Sequence, residues 1–159
     1  MMKLSFRTGL SFGLTSGVIT TLGLMVGLHS GTHSRTVVIG GIVTIAVADA
    51  LSDALGIHIA EESKNNGNVL DIWEATIATF VAKFLIAMTF VVPVLLLPLE
   101  QAMMVSVAWG LMLLAGLSYF LARVQQITAW KVIAEHVVIG VSVIAITHYV
   151  GAWIHATLS

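Results

Sequence analysis

Apolar residues fall into five long stretches along this chain, approximately Leu10 to Leu28, Val37 to Ala60, Ala75 to Leu97, Ala102 to Leu121 and Ile133 to Ile154. A helix needs roughly 20 such residues to cross the hydrocarbon core of a bilayer, and each stretch meets that requirement. Turn formers and charges gather between them, at Gly31 to Arg35, Glu61 to Asn68, Pro98 to Gln101 and Arg123 to Thr128. The pattern predicts an all-α integral membrane protein, a single five-helix transmembrane domain over residues 1–159, with no low-complexity tract and no internal repeat. Pro93 inside the third stretch predicts a kink and Pro98 its end. Lys3 and Arg7 precede the first stretch as they would in a signal peptide. That run, however, is longer than a usual signal core and ends in His29-Ser30-Gly31-Thr32-His33 without a small-x-small cleavage site. A retained first helix is therefore expected.

Composition sharpens the assignment. Of 159 residues, 58% are hydrophobic and 9% charged, and the mean hydropathy is +1.01; a soluble domain carries about 25% charged residues. Seven Lys and Arg with eight Asp and Glu cannot clothe a water-exposed surface, which excludes soluble enzymes and nucleic-acid-binding modules. No enzymatic activity, prosthetic group or nucleic-acid partner is expected; the surroundings are the lipid bilayer. The absence of cysteine removes disulfides, thiolate metal sites and cysteine nucleophiles.

The cations set an expected orientation, because short loops rich in Lys and Arg stay on the cytoplasmic side. With the N-terminus inside, Lys3, Arg7, Lys64, Arg123 and Lys131 lie in inner segments and only Arg35 lies outside. Trp73 and Trp130 then fall at the inner boundary and Trp153 at the outer one, where amphipathic rings belong. Without a targeting signal this fits the plasma membrane of a prokaryote better than an organelle. Gly9, Gly13 and Gly17, then Gly23 and Gly27, recur every four residues, the spacing that lets helix backbones meet closely in lipid. Such a face serves either packing within one subunit or a homodimer seam.

Charge at bilayer depth carries the functional information, since one charge at a helix centre costs roughly 2.5–3.5 kcal/mol on insertion scales. Asp49 and Asp53 are four residues apart, on one helix face, about 6 Å apart along the axis. Two carboxylates in hydrocarbon need a cation beside them or a proton on one of them. Either they bind a metal or monovalent ion, or they are neutralised internally by hydroxyls and by Lys83, which lies at a depth comparable with Asp53. Ser16 and Thr20, with Thr15, bring hydroxyl oxygens from the first helix to that depth. Glu135 near the inner boundary of the fifth helix is a further candidate ligand. His58, Glu61, Glu62, Asp71 and Glu74 cluster at the inner mouth, either as a cation-gathering entrance or as a solvated helix end. His136 and His148 are expected as hydrogen-bonded bundle histidines, and His29 and His33 as an outer pair without a third ligand.

Several segments resemble the vacuolar iron transporter family. Gly13-Leu14-Thr15-Ser16-Gly17-Val18 and Gly23-Leu24-Met25-Val26-Gly27 look like its first helix, and Ala50-Leu51-Ser52-Asp53-Ala54-Leu55-Gly56 is similar to its A-L-S-M-A-x-G-E-Y stretch. Val92-Pro93-Val94-Leu95-Leu96-Leu97-Pro98 resembles the I-P-L-L-P end of its third helix. Ala122-Arg123, Val138-Ile139-Gly140 and Tyr149-Val150-Gly151 resemble motifs of the last two helices. The resemblance implies a homodimer with a path between the two first helices, and export of Fe²⁺ or Mn²⁺ from the cytoplasm in exchange for protons. Several departures stand out. Ser16 occupies the place of the family's transport aspartate, and Asp53 that of its methionine, while Ile57 replaces a glutamate. Only residues 63–70 remain where plant members carry a metal-binding insert. Trading sulfur for oxygen favours harder ions, so Mn²⁺ stands beside Fe²⁺, with Mg²⁺ or Ca²⁺ behind them.

The function expected from these residues is divalent metal transport in which Asp49 and Asp53 bind the ion and Ser16, Thr20 and Glu135 assist. The alternatives are a non-transporting membrane scaffold that kept the fold, or a proton or monovalent-cation pathway through the same aspartates.

Overall fold

A computed structural model describes residues 4–64 and 68–158. Lys3, one of the five inner cations, and residues 65–67 of the second connection lie outside the described residues. Among the described residues six helices follow one another: α1 (Leu4–Thr32), α2 (Arg35–Glu62), α3 (Val69–Thr89), α4 (Val91–Leu96), α5 (Leu99–Gln125) and α6 (Ala129–Leu158). Strands are absent among the described residues. Helices α3 and α4 together form one apolar span, Val69–Leu96, so five segments are long and apolar enough to cross a membrane. The described chain is thus all-helical, with five spans of the length and composition of a multi-pass membrane protein.

The helices outrun the apolar stretches that predict them at every end but one, the close of the third, where α4 stops at Leu96, one residue short of Leu97. Helix α1 begins at Leu4 rather than near Leu10, and α6 reaches Leu158 rather than Ile154. Hydropathy marks lipid depth, whereas backbone hydrogen bonding continues into the polar ends until a cap or a left-handed residue stops it. Ser34 caps α2, its hydroxyl accepting from the Val37 amide at 3.4 Å, and Asn68 caps α3 through the Leu70 amide at 3.2 Å. Gln126, at φ 57°, ends α5, and its amide turns back to the carbonyls of Ala122 and Arg123. The kink expected from Pro93 is a break at Phe90. The prolyl nitrogen has no proton to give to the carbonyl of Thr89, one turn earlier, and the Phe90 amide tightens onto Ala87 at 3.1 Å.

Helix α1 is the axis of the bundle and the most buried span, in contact with α2, α3, α5 and α6; α6 is the least buried. Small residues decide this arrangement. A Cβ on Gly9 or Gly13 would overlap the carbonyl oxygens of Ala75 or Thr79, and one on Gly17 would run into Ile86. Further along α1, Gly23 faces Val143 of α6, and Gly151 of α6 sits against the Gly27 carbonyl. The glycine faces are therefore filled inside the chain, first by α3 and then by α6. Thr79 fastens the tightest stretch, donating to the Gly9 carbonyl at 3.2 Å and to its own helix at Ala75. On α2 the buried stripe is Val38, Ile42, Ala46, Ala50 and Ala54, one residue per turn, narrowing to alanine where α3 lies closest. Large apolar side chains, such as Leu51, Leu55, Ile77, Leu85 and Phe120, point outward instead. With lipid outside there is no penalty for that inversion, and close backbone contact supplies the packing. Trp73 and Trp130 are exposed near one end of the bundle and Trp153 near the other.

Replacing Gly9 by alanine should lower stability by about 1–3 kcal/mol, since the colliding atoms are backbone. Gly56→Ala, where an added Cβ meets nothing within 4 Å, should be neutral or gain up to about 1 kcal/mol. Unfolding midpoints in detergent micelles measure both; equal midpoints would contradict the close α1–α3 approach.

Candidate functional site: a lysine between two aspartates

Asp49 stands at the middle of α2, with Asp53 one turn nearer Glu62; Ser16 is at the middle of α1, and Lys83 at the middle of the α3–α4 span. Three helices thus bring four polar side chains to one level. Gly17 leaves the room: a Cβ there would come within 3.3 Å of both Cα and Cγ of Lys83, beside its overlap with Ile86. The Ala46-Ala50-Ala54 stripe does the same from α2. Lys83 is 1% exposed, the largest fully buried side chain among the described residues.

Its ammonium meets three oxygens. It donates to the Ser16 hydroxyl at 2.9 Å and to Oδ2 of Asp53, and it forms an ion pair with Oδ2 of Asp49 at 2.5 Å. Ser16 passes its own proton to Asp53 Oδ2 at 2.7 Å. Two of its donors are thus used in hydrogen bonds, to Ser16 and Asp53, while Asp49 Oδ2 is held by charge alone and lacks a hydrogen-bond donor. Two carboxylates thus face a single ammonium. The carboxylates are not sealed in: the side chain of Asp49 is 27% exposed and that of Asp53 21%. At mid-span a carboxylate facing outward needs water or protein beside it, since hydrocarbon solvates it poorly.

Other candidates lie elsewhere. The Thr20 hydroxyl donates back to the Ser16 carbonyl at 2.9 Å, and the residue lines a groove between α1 and α6 with Gly23, Gly27 and Thr147. Glu135 is exposed on α6, a helix that packs on α1 and α5. At the end of the bundle near Trp73, the five entrance residues share a level without converging. His58 bonds Thr76 at 3.0 Å and meets the Trp73 ring edge-to-face; Glu61 pairs with Lys64 at 2.6 Å; Glu62 is exposed; Asp71 and Glu74 are half-buried in α3. Among the described residues, no three His, Asp or Glu side chains are already gathered as a metal centre would need. His136 and His148 are interhelical struts, bonded to Ser118 and Ser30 at 2.7 Å each.

Fold and cluster define an all-helical protein whose five long apolar helices fit membrane spans, with one lysine paired to two aspartates at the middle of three of them. No protein-family model matches the chain, and no curated protein matches it.

Lys83→Met would leave two carboxylates facing each other without a counter-charge, and breaking a buried pair from one side costs about 3–5 kcal/mol. Combining Lys83→Met with Asp49→Asn and Asp53→Asn should recover most of that loss. Micellar unfolding of the single and triple variants checks this; an unperturbed Lys83→Met protein would mean the cluster does not hold the helices.

Proposed function

We propose that the protein carries cations across a membrane, with Asp49 and Asp53 as the ion-binding groups and Lys83 as a built-in stand-in for the ion. The observation that carries this reading is the pair of carboxylates that faces a single ammonium, partly exposed at mid-span. An ion approaching the aspartates competes with the ammonium for the same oxygens. Two carboxylates neutralise a divalent ion, which leaves the charge of Lys83 in excess unless it gives up its proton, so binding of M²⁺ expels one H⁺, and the return of a proton to Lys83 expels the ion. This makes proton exchange a consequence of charge balance in a poorly solvating medium.

The motif resemblance supports Fe²⁺ or Mn²⁺ as cargo, and the oxygen-only donor set supports the harder of the two, Mn²⁺. The uneven distribution of Lys and Arg supports a cytoplasmic N-terminus, hence export, and a prokaryotic plasma membrane as the setting. Carboxylates that face out of the subunit support a second copy completing the path as a homodimer. Thr20, Glu135 and the residues near His58 fit this scheme as groups along the route and not as ligands of the same ion.

One observation favours a second reading. Lys83 is fully buried and fully engaged, as in a brace that pins α1, α2 and α3 in a protein that moves nothing.

Flux into proteoliposomes separates the two. Mn²⁺ or Fe²⁺ uptake should rise with an opposing proton gradient and fall to the level of protein-free vesicles in Asp53→Asn, while that variant stays monodisperse. Absence of Mn²⁺, Fe²⁺, Na⁺ and H⁺ flux in the wild-type protein would establish the brace. Flux of H⁺ or Na⁺ alone would replace the divalent cargo by a monovalent one.

A further inference from the structure

Helices α5 and α6 run antiparallel and touch toward the end near Trp130, where Ser118 bonds His136 and Gly140 sits against Leu114. Toward the other end a groove of about 700 Å³ opens between them, with Met103 and Leu111 on one wall, Val141 and His148 on the other, and Val26 and Ser30 of α1 along its floor. Its polar residues, His29, Ser30, His148 and Tyr149, gather at the end toward Trp153, and the rest of the lining is apolar. We infer that this groove binds a lipid with an uncharged, hydroxyl-bearing head, its alkyl chain along the apolar walls and its hydroxyl at His148. This inference does not rest on the transport reading.

An open hydrogen-bonding position on His148 carries the argument. Nδ1 of His148 meets the Ser30 hydroxyl at 2.7 Å, and Nε2 has no partner among the described residues. The residue is exposed and lies five positions, about 7.5 Å, inward from Trp153, a depth at which hydrocarbon offers no hydrogen bond. If the serine donates to Nδ1, Nε2 carries the proton of the neutral ring and lacks an acceptor. If Nδ1 donates to the serine, Nε2 holds a lone pair and lacks a donor. A hydroxyl serves either tautomer, because it both donates and accepts. The Tyr149 ring, 5.6 Å from that of His148 between centroids, adds a second hydroxyl to this end of the groove. Charge argues against an anionic head: no Lys or Arg lines the groove, and the Glu100 carboxylate lies 3.4 Å from Nε2 of His29. Val141 is seven residues, about 10 Å, deeper than His148, so an alkyl chain that follows the groove keeps its head toward the nearer membrane surface, as lipids of that leaflet do. An apolar cleft with a few polar groups at one point is the usual form of a small-molecule site, and this volume falls within the usual range of about 300–1,000 Å³.

The test uses the full-length protein in phospholipid nanodiscs and a monoacylglycerol carrying a diazirine in its acyl chain, with crosslinked residues read by peptide mass spectrometry. Labels should concentrate within residues 103–111 and 141–149. Unlabelled monooleoylglycerol should suppress them at about tenfold lower concentration than methyl oleate, oleate or oleylamine, the effect of roughly one hydrogen bond. Ala145→Phe fills the groove from an exposed position and should abolish this labelling, and Ala108→Phe should do the same from the opposite wall. His148→Phe should erase the preference for the alcohol, whereas His148→Gln, which keeps a donor and an acceptor, should retain most of it. Labels spread evenly over the outward faces of all five spans, labelling unchanged in both alanine variants, or competition by oleate or oleylamine as strong as by monooleoylglycerol would overturn the inference.

Discussion

An ammonium with three oxygens around it, in the middle of a bundle surrounded by lipid, is the constraint on which the rest of the architecture depends. Lys83, on α3, can be buried only if α1 and α2 contribute oxygens at its level, through Ser16 and the two aspartates. Any rotation of α2 that moved its carboxylates away would leave a bare charge in a medium that cannot solvate it. The pairing thus specifies helix rotation and register, which apolar contact alone leaves degenerate when the surroundings are as apolar as the side chains.

The small residues follow from the same requirement. A lysine side chain joins two aspartates on a neighbouring helix only if the backbones are close, and here Gly17 and the stripe Ala46, Ala50 and Ala54 keep them so. Gly9 and Gly13 extend the approach toward the N-terminal end of α1. Beyond Gly17 the same helix turns its glycines to α6, and polar struts take over: Ser30 to His148, and Ser118 to His136 between α5 and α6. Bonds of this kind are modest individually in membranes, on the order of 0.6 kcal/mol each, yet each defines a unique facing of two helices. A cluster held this firmly has a functional corollary. In the proposed carrier, an ion that reached the aspartates would have to replace the lysine in a structural role as well as an electrostatic one, which would couple occupancy of the site to how tightly the three helices are held.

Much of this was legible in the residues. The five spans, the break near Pro93 and the depth match of Asp49, Asp53, Ser16 and Lys83 follow from hydropathy, proline chemistry and a rise of about 1.5 Å per residue. Depth along a helix is a linear coordinate that counting recovers. Facing is angular, and counting recovers it only relative to neighbours on the same helix. Thr20 shares the level of the cluster within a turn and turns to the α1–α6 groove instead, and Glu135 sits on a helix that packs on α1 and α5. The glycine repeat announced a close contact without saying whether its partner was α3, α6 or a second subunit.

By itself, then, the sequence determined the class of protein, the number of its spans and the list of charges that the bilayer has to accommodate, because those properties are sums over consecutive residues. Which carboxylate meets which amine, and which histidine meets Ser30, only the tertiary structure decided. Such pairs join residues 30 to more than 100 positions apart. Their meeting depends on how each helix is rotated about its axis, a variable that no single stretch of the chain contains.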